Sequence, residues 1–193
     1  MSDFEPSDAV LIARSLADPD AFRLVFRRHY PSVARFLQRR LGASRGEELA
    51  AETFARAFAR RDRYVPGAPT ARPWLFGIAS NLASAARRAE ERQLRAYGRL
   101  PLGRVEDEAA SADARLDARS EIAPLVDSLL ALSREDREAL LLYAWADLTY
   151  AEIAEALGIP VGTVRSRISR ARLKTRNGPG SDPAPPLTEG VRS

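Results

Sequence analysis

Cysteine is absent from the chain, and histidine and methionine each occur once, as His29 and Met1. Without thiols the chain can form neither a disulfide framework nor a thiolate metal site, and one histidine cannot complete a zinc site alone. His29 therefore reads as a half-buried or surface residue. No apolar run approaches the roughly 18 residues of a membrane span. The first residues, MSDFEPSDAV, lack the basic start and apolar stretch of a secretion signal. A soluble chain, cytoplasmic in location, is the expectation. Also missing are a Gly-rich phosphate loop after a strand and a constellation of His with carboxylates. No enzyme activity, cofactor or metal is expected. Strand-period patterns and internal repeats are lacking too, which leaves an all-α fold.

Lysine is nearly absent: 29 of the 30 basic residues are arginine. With alanine abundant as well, this points to a coding bias, so the identity of a basic residue says little and its clustering says more. The clustering is informative. Residues 1–99 carry a net charge of +7, residues 100–160 carry −8, residues 161–176 carry +6 and the remainder −1. Basic, acidic, basic is the order that two nucleic-acid-facing modules around an acidic connector would give.

The most organised stretch is Thr149 to Arg176. Ala151, Ile153, Ala154 and Leu157 form an apolar stripe for one helix, and Thr149 with Glu152 has the spacing of a capping box. Gly158 suits the left-handed residue that ends a helix, and Pro160 cannot continue one. A second helix from about Val161 places Val164, Ile168 and Ala171 with Val161 on one side. Arg165, Ser166, Ser169 and Arg170 project from the other. This is a helix-turn-helix pattern whose outer face bears the donors that read base edges in a DNA major groove. Arg167, Arg172, Lys174 and Arg176 flank that face and suit phosphate contacts, which position without specifying.

Upstream, residues 8–17 predict a short helix and the DPD at 18–20 a capped break. Phe22, Val25 and Phe26 recur at helical spacing as far as Tyr30. Pro31 fits the first turn of a new helix, in which Val33, Phe36, Leu37 and Leu41 follow until Gly42 stops it. A third helix from near Ser44 carries Leu49, Thr53, Phe54, Ala57 and Phe58, with Glu47, Glu48 and Glu52 near its start. The Pro and Gly of residues 62–73 forbid regular structure there. Preceded by Arg61 and containing Arg63 and Tyr64, that loop suits an unstacked base of single-stranded DNA. After Pro73 a long helix turns Trp74, Leu75, Ile78, Ala79 and Leu82 inward. Residues 99 to about 119 read as an acidic linker. A helix around Ile122, Leu125, Leu129 and Leu130 follows. Ser133 then caps a helix that brings Leu140, Tyr143 and Trp145 to the packing face. The segment from Asn177 is too poor in apolar residues to fold. Two small helical domains joined by a flexible acidic linker result, with boundaries at 1–99, 100–119, 120–176 and a disordered tail at 177–193.

Two stretches in the first domain, EELAAETFARAF and PWLFGIASNL, and ALSREDREALLLYAWADLTYAEIAEALGIPVGTVRSRISRAR in the second, resemble the bacterial extracytoplasmic-function (ECF) sigma factors. These are small alternative sigma subunits of RNA polymerase. The resemblance covers roughly residues 10–99 and 120–176. It implies that the first domain binds the clamp helices of the polymerase β′ subunit around Glu48, Leu49, Glu52 and Phe54. It implies capture of a flipped base of the −10 promoter element by Arg61, Arg63, Tyr64, Asn81, Arg87 and Arg88. The second domain would place Arg165, Ser166, Ser169 and Arg170 in the −35 major groove and meet the β flap with another face. Core RNA polymerase, promoter DNA and an anti-sigma factor are the implied partners. The chain departs from the family's common pattern at Ala51, at Ser84 to Ala86, and at the small Ser169. A free-standing dimeric duplex-DNA regulator is the alternative that the helix-turn-helix alone would allow.

Overall fold

The structure, a computed structural model, describes residues 6–65, 70–97 and 131–176. Among these lie seven α-helices: α1 (Asp8–Arg14), α2 (Phe22–Leu41), α3 (Ala43–Ala59), α4 (Arg72–Tyr97), α5 (Arg134–Trp145), α6 (Tyr150–Leu157) and α7 (Val161–Arg176). The described residues contain no strand. Helices α1–α4 form one group and α5–α7 a second. The expected helix around Ile122, the acidic linker and the tail from Asn177 lie outside the described residues.

Helices α2 and α3 pair antiparallel because Gly42, with φ +84°, reverses the chain between them. Phe22 meets Phe58 and Phe26 meets Phe54, with ring centroids 5.4 and 5.0 Å apart. Near the turn, Gly46 lies so close that a Cβ there would sit 2.4 Å from the Gln38 backbone. Helix α4 closes the group by packing the fully buried Phe76 edge-on against Phe36. Each such buried aromatic or aliphatic side chain contributes roughly 1.5–3 kcal/mol.

Three expectations need correction. Pro31 starts no new helix; α2 runs through it for 20 residues. Proline removes one backbone donor and crowds the preceding turn. Burial of Val25, Val33, Phe36 and Leu37 on either side outweighs that cost, and the Ser32 hydroxyl donates to the His29 carbonyl at 2.8 Å within the same turn. The loop after α3 is not wholly irregular either, since Arg61–Arg63 form a 3-10 turn. Finally, α5 turns Ala139, Leu141 and Leu142 inward, while Tyr143 is exposed and Leu140 and Trp145 are only half-buried. The run ALLLYAW is apolar on all sides, so periodicity alone set its face about one residue off.

The two groups touch. Helix α6 lies against α4 so closely that a Cβ on Gly77 would meet the Ala156 carbonyl oxygen at 2.7 Å. Arg40 of α2 forms a fork with Glu138 of α5 at 2.6 and 2.5 Å. Ser84 of α4 shares that site, 3.2 Å from each partner. Arg72, at the start of α4, donates to the Ala146 carbonyl at 2.6 Å.

Candidate nucleic-acid interface

The turn between α6 and α7 is built as its sequence requires. The Thr149 hydroxyl accepts from the Glu152 N–H at 3.2 Å, and the Glu152 carboxylate accepts from the Thr149 N–H at 2.8 Å. Gly158, at φ +64°, lets the Ile159 N–H reach back to the Ala154 carbonyl at 3.0 Å. The Pro160 carbonyl then accepts from Thr163 and Val164, which starts α7. Val164, Ile168 and Ala171 are buried on one side of α7. Val161, expected with them, is 41% exposed because the helix has barely begun to pack there.

The opposite side presents Arg165, Ser166 and Ser169 together and exposed. The Ser166 hydroxyl donates to the Thr163 carbonyl at 2.9 Å, which leaves its lone pairs free to accept. Arg170 differs. Its Nη2 and Nε donate to the two carboxylate oxygens of Asp136 at 2.8 and 3.3 Å, tying α7 to the first turn of α5. That guanidinium holds the Asp136 carboxyl below its ordinary range; burial opposes the shift, and the Ser133 hydroxyl adds to it. Arg172 spreads over the Tyr143 ring at 4.7 Å, Lys174 is exposed and Arg167 is half-buried. Of the four expected readers, Arg170 is thus the one anchored to a second helix. Sequence spacing places Arg170 on the outer face correctly but cannot show a carboxylate 34 residues away in the chain.

In the first group the expected site residues are spread over different jobs. Arg61 donates to the Ser15 and Phe58 carbonyls at 3.2 and 2.6 Å and covers the Phe58 ring at 3.9 Å. It fixes the end of α3 to the end of α1. Arg63 is exposed. Tyr64 is half-buried, with its ring 4.9 Å from Trp74. Burial raises the Tyr64 hydroxyl pKa, and the carboxylates of Asp8 and Glu155 push it the same way. Trp74 is half-buried against the core, as its place on the apolar face of α4 required. Asn81 is exposed, while Arg87 and Arg88 are half-buried further along the same helix. On α3, Leu49 and Phe54 are buried, only 3% and 4% exposed. Glu48 and Glu52 remain outside, paired with Arg45 and Arg56 at 2.6 Å each.

A polar hub was missed. His29 is buried, not half-buried or on the surface, and its Nε2 lies 2.7 Å from Asp8 Oδ2. Arg28 donates to the other oxygen at 3.0 Å, and the backbone N–H of Ala71 donates to Oδ2 at 2.8 Å. Burial pushes the Asp8 carboxyl up, but the bonds from His29, Ala71 and Arg28 outweigh it and hold the group well below the usual range. Asp8 thereby sets where α4 begins, beyond the loop that carries Tyr64. A second feature also escaped notice. Phe26 is 39% exposed, stacked on Tyr30 at 4.6 Å and backed by Phe54. Its place at the edge of the α2 stripe was the available signal.

These two helix groups match two described families in the same order. Residues 25–93 match Sigma-70 region 2, and residues 122–175 match Sigma-70, region 4. The RNA polymerase sigma factor CarQ of Myxococcus xanthus is 36% identical over 81% of this chain and 88% of its own length. The ECF RNA polymerase sigma factor SigC of Mycobacterium tuberculosis is 28% identical over 89% and 90%. Among solved structures, CnrH in complex with the cytosolic domain of CnrY is 26% identical, with a TM-score of 0.62 over 88% of this chain and 95% of that one.

The fold and its DNA-reading hairpin therefore define a sigma subunit of RNA polymerase. Within that class the chain belongs to the ECF sigma factors and directs transcription initiation together with core polymerase and promoter DNA. Among the described residues, no helix is long and apolar enough to cross a membrane.

Proposed function

We propose that the two domains divide promoter reading, with the second domain at the −35 duplex and the first at the −10 single strand. The observation that carries this is the outer face of α7, where Arg165, Ser166 and Ser169 stand exposed over a helix anchored by Val164, Ile168 and Ala171. Arg165 suits guanine O6 and N7, and the serines suit several base edges. Arg170, held by Asp136, braces the helix, while Arg167, Arg172 and Lys174 meet phosphates. In the first domain, Arg63, Tyr64, Asn81, Arg87 and Arg88 line the strand-binding face, and Arg61 supports it from behind.

The clamp helices of β′ would meet the outer face of α3. Glu48 and Glu52 supply its charge, and Leu49 and Phe54 hold it in place from the core. The β flap would take a separate face of the second domain. We assign residues 1–99 and 120–176 to the two domains, 100–119 to the linker and 177–193 to a tail. The work is recognition without catalysis, in the cytoplasm, where the polymerase acts. CnrH was solved bound to the cytosolic domain of another protein, which supports an anti-sigma factor as a further partner here.

The test is reconstitution. Purified chain plus core polymerase should start transcripts at discrete sites on a genomic template library that core alone ignores. A palindromic footprint from the chain alone, with no initiation on adding core, would favour a free-standing regulator and overturn the proposal.

A further inference from the structure

Arg170 is tied down and yet stands half in water. Its side chain is 55% exposed, whereas that of Asp136, which it grips, is only 5% exposed. The fork uses one edge of the guanidinium, with Nε donating to Oδ2 and Nη2 to Oδ1. A guanidinium carries five N–H donors, one on Nε and two on each Nη. Two of them go to the carboxylate. The second Nη2–H lies parallel to one Nη1–H along the adjacent edge, and among the described residues Nη1 meets no acceptor. Such an edge matches the paired acceptors O6 and N7 of guanine.

Asp136 is well placed to hold that edge still. It lies in the first turn of α5, where its N–H donates to the Ser133 hydroxyl at 3.1 Å and the helix start favours its negative charge. Arg170 follows Ser166 by four residues and so shares its stripe along α7.

From this we infer that Asp136 is a positioning residue for promoter reading: it fixes the Arg170 guanidinium so that the open edge meets one guanine of the −35 element. The inference rests on the assignment of the −35 duplex to α7, and it gives the brace a second task. An unbraced arginine gives up its rotamer freedom when it binds, whereas a braced one has given it up already. Bracing also sharpens discrimination. A free arginine facing the wrong base swings away to a phosphate or to water, but a side chain held by its Nε edge keeps its donors aimed and unpaired. Asp136 therefore acts on base preference without touching a base.

The test uses the full chain in holoenzyme, with initiation read by sequencing transcript 5′ ends from a promoter library randomised across the −35 element. Arg170→Ala should relax the guanine preference at one base pair. Asp136→Asn keeps the volume and removes the charge. It should relax the preference at that same pair by about fivefold and leave every other pair as in the parent. The double variant should be no more relaxed than Arg170→Ala alone, since the two residues act as one unit. Because Arg170 is more than half exposed, loss of Asp136 strands no buried arginine. Should Asp136→Asn melt near the assay temperature, Asp136→Leu takes its place with the same expected result.

Unchanged base preferences in the Asp136 variant, with or without a uniform loss of output, would make the pair a structural brace only and overturn the inference. So would relaxation at a pair other than the one Arg170→Ala relaxes. Arg165→Ala, run alongside, separates this inference from the reading beneath it. If Arg165→Ala relaxes its own pair while Arg170→Ala relaxes none, the inference alone falls. If neither arginine variant changes any pair, the assignment of −35 reading to α7 falls with it.

Discussion

The two domains expose their chemistry in opposite ways. In the second, a 16-residue helix separates its proposed readers from its core around one cylinder, so Arg165, Ser166 and Ser169 are exposed while Val164, Ile168 and Ala171 are buried. In the first, several of the expected site residues are taken up by the fold: Arg61 caps two helix ends, Tyr64 leans on Trp74, and Leu49 and Phe54 are core. A helix sorts side chains by angle, whereas a loop sorts them by whatever the neighbouring elements leave unpaired. Function on a helix is therefore nearer the surface of the sequence than function beside a loop.

The sharpest way to break the contrast is to remove what positions the first domain's loop. Asp8→Ala strands His29 and the Ala71 N–H together, and should cost about 3 kcal/mol in urea unfolding. A loss below about 1 kcal/mol would show that the hub is not what sets the start of α4. Gly46→Ala comes next. Its Cβ would collide with the Gln38 backbone at the α2–α3 crossing and should destabilise by about 1–3 kcal/mol.

The hub also makes the first domain sensitive to acid. Asp8 has a folded pKa below its ordinary value of 3.8, so its contribution is fully present above that value and is lost as pH falls through the folded pKa. Below about pH 4, urea midpoints of the parent should fall more steeply than those of Asp8→Asn. Parallel curves would remove Asp8 as the cause.

That hub marks where sequence reading stopped. The helices, the capping box at Thr149 and Glu152 and the glycine turn at Gly158 were legible because each rests on residues within four positions of one another. So was the outer face of α7. The Asp8–His29 pair spans 21 residues, Arg170–Asp136 spans 34 and Arg40–Glu138 spans 98, and no local spacing encodes such partners. Pro31 within α2 failed for the converse reason: a local rule was clear, but burial on both sides overrode it. Among the site residues, period put Arg165, Ser166 and Ser169 on one exposed face, while Arg61, Tyr64 and Arg170 acquired structural partners that only the folded chain reveals.

Smaller effects belong to the second domain. Thr149→Ala removes the cap of α6 and should cost about 1 kcal/mol, measured by thermal unfolding. Lys174→Ala should lower the salt dependence of promoter binding by about one counterion and weaken all sequences alike. A sequence-selective effect there would move Lys174 from positioning to reading.

The most direct test is Arg165→Ala in reconstituted holoenzyme, read by sequencing transcript 5′ ends from a promoter library randomised across the −35 element. The division of promoter reading proposed for α7 gives relaxed preference at one −35 base pair, worth about 1–3 kcal/mol, with every other position unchanged. A uniform loss across all sequences, or no change at any position, would contradict it.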